Sequence, residues 1–135
     1  RWINLKIESN SRCVFLNNEA IEQFSNGIIS FQVAHGEGKF FAGPKVLRKI
    51  EKNGLVVFRY CDEKGSPTQK YPQNPNGSLN AIAGICDPTG RILGLMPHPE
   101  RFVRKEQHPN WRRTKIASPH GLPIFERMIE YVKKN

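Results

Sequence analysis

No apolar run in this 135-residue chain approaches the ~20 residues that a membrane-spanning helix requires. The opening stretch Arg1-Trp2-Ile3-Asn4-Leu5-Lys6 lacks the apolar core of a secretory signal, so cytoplasmic residence with no membrane partner is the expectation. Cysteine is scarce: Cys13, Cys61 and Cys86 stand far apart, an odd number without a CxxC pair. That argues against a disulfide framework and against a structural zinc site. The four histidines, His35, His98, His108 and His120, show neither HxxxH nor HxH spacing, and no metal site is expected. Repeats and low-complexity tracts are missing, and so are the strand-to-helix nucleophile elbows GxCxG and GxSxG.

Charge of one sign is in excess. Lys and Arg number 21 against 12 for Asp and Glu, a net charge of +9. Such an excess raises nucleic acid as a partner. The clusters at Arg101 to Lys105, Arg112 to Lys115 and Lys133-Lys134 are not interleaved with base-stacking aromatics, and no groove-reading helix is visible. A solvated basic surface ranks first, an acidic partner or phosphorylated ligand second, and no nucleic-acid partner is expected. The length suits one domain, residues 1–135, with a moderate core.

What is present reads as a sheet-dominated α/β domain with a closing helix. Residues 2–8 alternate apolar and polar, as a half-buried strand does. Residues 28–33 and 55–61 read as strands, and residues 81–86 and 91–96 as a hairpin around Asp87-Pro88-Thr89-Gly90. Helices are expected over 17–24, over 44–53 with Pro44 in the first turn and Gly54 as stop, and over 123–132 at helical apolar spacing. Residues 62–80, rich in Gly, Pro, Ser, Asn and Gln, read as a long loop.

The second arm of the hairpin runs into Gly94-Leu95-Met96-Pro97-His98-Pro99-Glu100-Arg101. On an extended chain, residues i and i+2 project to one side, so His98 and Glu100 lie together if Pro97 and Pro99 keep the chain extended. A carboxylate beside an imidazole selects its tautomer, orients the ring and stabilises the imidazolium. An isolated His-Pro-Glu is more often a surface histidine with an incidental neighbour. The chain also shows nothing for such a base to activate. Cys86 sits beside the hairpin turn, Cys61 reads as a strand residue, and Cys13 as a loop or core thiol.

Several stretches together resemble a known family. GLMPHPER (residues 94–101) resembles the His-x-Glu end of class I glutamine amidotransferases. VAHGEGKF (33–40), VVFRYCD (56–62) and NPNGSLNAIAGICD (74–87) resemble the glutaminase part of phosphoribosylformylglycinamidine (FGAM) synthase. The match runs in order from Trp2 to about Arg101, and more weakly through HPNW (108–111) and the last helix. The resemblance implies a Rossmann-like (flavodoxin-like) α/β amidotransferase fold, here incomplete and lacking its N-terminal strands and helices. It implies glutamine hydrolysis by a Cys-His-Glu triad in purine biosynthesis, with ammonia passed to a synthase large subunit or domain. His98 and Glu100 match the family's general base and its orienting carboxylate. The family's nucleophilic cysteine and oxyanion-hole amides lie upstream of the strand matching residues 2–8, so these residues alone are expected to be inactive. No cofactor is expected in this chain; ATP and magnesium would belong to the synthase partner.

Other readings stand beside this one. His35 and Glu37, in a strand-end loop with two glycines, are candidates to lie near the glutamine site, or else form a structural turn. Asn74 to Ser78 is either a satisfied Asx/Gly turn network or a loop facing the synthase. The chain as a whole is alternatively a non-catalytic module of the same fold, binding the synthase subunit or another acidic partner. A sheet lacking its first strands would expose edges and apolar surface.

Overall fold

The computed structural model describes residues 1–16, 22–116 and 118–135. Among the described residues five strands form one sheet, β1 (Trp2–Ile7), β2 (Ile28–Gln32), β3 (Val56–Cys61), β4 (Ile82–Cys86) and β5 (Leu93–Leu95), in the order β2-β1-β3-β4-β5. The helices α1 (Pro44–Lys52) and α2 (Leu122–Lys134) accompany them. The expected strands and these two helices are therefore observed, shifted by a residue or two at their ends. The helix expected over 17–24 lies largely outside the described residues.

Local sequence explains the elements. In β1 the alternation buries Ile3, Leu5 and Ile7 and leaves Trp2, Asn4 and Lys6 half-buried. In β2 it buries Ile29 and Phe31. Strand β3 is apolar on both faces and buried along its length except at Arg59, as a central strand should be. Helix α1 starts at Pro44, whose fixed φ suits a first helical turn, and ends before Gly54, held at φ +65.

All four strand pairs are antiparallel, whereas a Rossmann-like sheet is mainly parallel. Register shifts along β3 against β4, at Val56/Phe58 and Phe58/Arg59, interrupt the ladder, and such irregularities bend and twist a strand. The sheet consequently curls until the segment after β5 reaches the opposite edge. Met96 N donates to Ala83 O of β4 at 3.1 Å, and two residues later His98 N donates to Gln32 O of β2 at 2.9 Å. The outer edge of β2 is thereby bridged at Gln32. Apolar surface is exposed elsewhere, at Phe41, Ile92, Ile129 and Val132.

Candidate active site

His98 and Glu100 meet, but not along an extended chain. His98 is extended (φ −96, ψ 96), and Pro99 then opens a 3-10 turn over Pro99–Phe102. Proline accounts for both halves of this geometry. It pushes the residue before it out of helical conformation, while its own φ suits the first position of a helical turn. Within that turn Glu100 folds back, and His98 Nδ1 donates to Glu100 Oε1 at 2.7 Å. A carboxylate only accepts, so a proton sits on Nδ1, and the neutral form of the ring keeps its lone pair on Nε2.

The carboxyl of Glu100 is held below its usual range. Its partial burial pushes the value up, but its own backbone N–H, the hydrogen bond from His98 and the charges of His98 and Arg101 outweigh that. The pair therefore carries an ionised carboxylate at neutral pH. Its surroundings hold it in place. Arg101 Nη1 donates to Gln32 Oε1 at 3.2 Å, and Arg101 Nε lies 4.0 Å from Glu100 Oε1. Gln107 accepts from Val103 N (2.7 Å) and Arg104 N (2.8 Å) while its Nε2 reaches Glu100 O (3.4 Å). The His98 side chain keeps 32% of its surface exposed, enough for a reacting group to approach.

None of the three thiols shares a hydrogen bond with His98, and each is buried. Burial pushes Cys13 and Cys61 up to about 11, and Cys86 upward as well. A thiol in that state is a poor nucleophile.

The AHGEG and NPNGS stretches, separate in sequence, form one interlocked unit. Phe40 N donates to Ser78 Oγ (2.9 Å) and Leu79 N to Phe40 O (3.0 Å). Asn74 and Ser78 are buried and bond each other reciprocally, both at 2.9 Å. The Asn76 side-chain amide sits against His35 Nδ1, 3.3 Å away. The His35 ring packs on the Cα of Gly38, where a methyl group would collide with it. The side chains of Asn74 and Ser78 are thus satisfied within the turn. No described hydrogen bond joins His35 or Glu37 to the His98–Glu100 pair, and Glu37 is exposed.

Nearer the pair, Met96 and Leu95 wall a groove of ≈ 310 Å³ with Lys39, Phe40, Phe41 and Ala83. Sequence reasoning missed Gln32, Gln107 and the backing of the turn by residues 120–121. These contacts join positions up to 90 residues apart, and no short-range spacing signals them. Among the described residues, no cluster of three or more His, Cys, Asp or Glu is arranged to hold a metal, and no helix is long and apolar enough to cross a membrane.

Comparison with known proteins places this geometry in context. The chain is similar to a protein named phosphoribosylformylglycinamidine synthase subunit PurQ from Methanococcus maripaludis strain C7, 41% identical over 146 residues, covering 99% of this chain and 51% of the relative. The protein of the same name from Dehalococcoides mccartyi is 41% identical over 135 residues, covering 99% and 49% respectively. That from Methanocaldococcus jannaschii is 34% identical, covering 99% and 51%. Among solved structures, PurLQS from Thermotoga maritima superposes with a TM-score of 0.61 at 25% identity, covering 98% of this chain and 47% of that one. The chain spans about half the length of the curated relatives it matches. The CobB/CobQ-like glutamine amidotransferase domain matches residues 1–132, and the chain belongs to that family.

Proposed function

We propose that this chain supplies the general base, His98, and its orienting carboxylate, Glu100, to the glutaminase of an FGAM synthase. The observation that carries this reading is the 2.7 Å bond from His98 Nδ1 to Glu100 Oε1. It fixes the tautomer in which Nε2 can take a proton from a nucleophile and later return it to the departing ammonia. In this reading the nucleophile is a cysteine outside these residues, as the family resemblance implies, and the three thiols here are buried with raised pKa values. In the fuller domain the chain belongs to a Rossmann-like amidotransferase fold. The thiolate attacks the glutamine side-chain carbonyl, ammonia leaves for the synthase subunit, and water hydrolyses the thioester. ATP and magnesium act at the synthase, not at this chain. The names of the relatives and the likeness to a PurLQS chain support this assignment.

The test is glutamine hydrolysis by the complete amidotransferase carrying His98→Ala. Loss of a triad base lowers kcat by about 10³–10⁶-fold. Turnover within a few-fold of the parent would remove His98 from the mechanism. A non-catalytic module would instead bind the synthase equally well with and without that substitution and hydrolyse no glutamine in either form.

A further inference from the structure

The outer edge of β2 is held by two groups. Gln32 O receives His98 N at 2.9 Å, and two residues earlier Ser30 N donates to His120 Nδ1 at 2.8 Å. An imidazole here takes the place of a neighbouring strand's carbonyl. His120 Nδ1 must therefore be unprotonated, with the ring proton on Nε2. The ring sits against Phe102 and Phe24, with centroids 5.1 and 5.5 Å away. The next residue grips the turn that carries Glu100: Gly121 N donates to Phe102 O at 2.8 Å, and a methyl group on Gly121 would collide with the Pro99 carbonyl. The contacts close a ring, from β2 through His98 and the turn Pro99–Phe102 to Gly121, and through His120 back to β2.

We propose that His120 is a positioning residue for the His98–Glu100 pair, acting as a neutral hydrogen-bond acceptor that pins the turn to the edge of β2. The inference deepens the reading of His98 as general base and rests on it. His120 touches no reacting atom; its effect passes through Phe102 and Gly121. Burial among the aromatic rings pushes its imidazole below the ordinary histidine range, and the charge of His108 adds to that. Among the described residues, the titratable groups sharing its cavity are His108 and Lys115, both of which oppose a cation at His120. The neutral acceptor is complete above the unperturbed histidine pKa, and the restraint is lost as pH falls through the lowered value.

Two variants of the full protein separate this role from simple packing. His120→Gln keeps an acceptor that does not titrate, and His120→Phe fills the space without one. Histidine-selective NMR should show the His98 Nδ1–H bonded to Glu100 in the parent, with an inflection at the His120 titration. That inflection should vanish in His120→Gln while the bond persists. In His120→Phe the bonded signal should be lost at all pH values, and kcat should fall by about 10²-fold, as for a misplaced catalytic group, with KM changed little. Unaltered His98 signals in a folded His120→Phe protein, or the same inflection in His120→Gln, would overturn the proposal. If His120→Phe does not fold, the comparison of His120→Gln with the parent decides alone. The NMR readout needs no turnover, so absence of glutaminase activity in the parent would count against the function proposed above and leave the positioning test intact.

Discussion

Tyr60 carries a hydroxyl that the fold has not provided for. Its side chain is fully buried in β3, its Oη has no hydrogen-bond partner among the described residues, and burial pushes the phenol up to about 12. An unpartnered buried hydroxyl costs free energy that a hydrocarbon of the same shape does not. Tyr60→Phe should therefore raise stability by about 1 kcal/mol. The change would register as a higher urea midpoint at constant slope. A lower midpoint would mean that the hydroxyl finds a partner in solution. His98 lies at the opposite extreme: Glu100 meets its ring Nδ1 and Gln32 its backbone N–H. That pairing was legible from two residues and two prolines. Pro99 starts a turn where an extended chain was expected.

The hairpin that delivers His98 depends on one side chain at its turn. Asp87 Oδ1 accepts from Arg91 N (2.9 Å) and Ile92 N (3.0 Å), and Oδ2 accepts from Thr89 N (3.0 Å) and Thr89 Oγ1 (2.7 Å). These bonds, the Thr89 hydroxyl foremost, hold the carboxyl down to about 2. Gly90 completes the turn at φ +73, where its α-carbon lies so close to Arg12 O that a side chain would collide. A depressed carboxyl stabilises the fold above its ordinary pKa, and the contribution is lost as pH falls through about 2. Asp87→Ala should speed hydrogen exchange at Asp87 N and Met96 N, which close the hairpin, with Asp87→Asn intermediate. Unchanged exchange at both amides in the alanine variant would show that the turn does not set the register of β5. Turn and strands were readable in the sequence because their determinants are local: alternation in residues 2–8, Asp-Pro-Thr-Gly between two apolar arms. Residues 62–80 read only as a loop, because Asn74 and Ser78 owe their burial to pairing with each other and with Phe40.

At the scale of the whole molecule, the antiparallel order and the curl were not legible, since register shifts along β3 and the bond from His98 to Gln32 leave no periodic trace in the sequence. The same holds for the junction that ties β1, β3, α1 and the loop before β4 together. Arg59 leaves β3 and forms ion pairs with Glu8 beyond β1 (Nε to Oε1, 3.1 Å) and Glu51 of α1 (Nη2 to Oε2, 2.6 Å). Its Nη1 also donates to Asn80 O at 2.7 Å, at a residue held at φ 50 in the turn before β4. Glu51 is held below the usual carboxylate range by its hydrogen bond from Arg59, with Asn80 adding to it. The planar guanidinium serves three elements at once, which a single ammonium does not reproduce. Its side chain is only 13% exposed, so solvent screens the network weakly and cannot replace a missing donor well. Arg59→Lys should cost about 1–3 kcal/mol, the range for leaving buried hydrogen-bonding groups unmet. It should also free the Glu51 carboxyl to titrate closer to its ordinary value. Two measurements check this together, the urea midpoint and the Glu51 carboxyl titration by NMR. An unchanged midpoint with an unchanged Glu51 titration would show that a lysine fills the junction, and that the three elements are held by the apolar core beneath it.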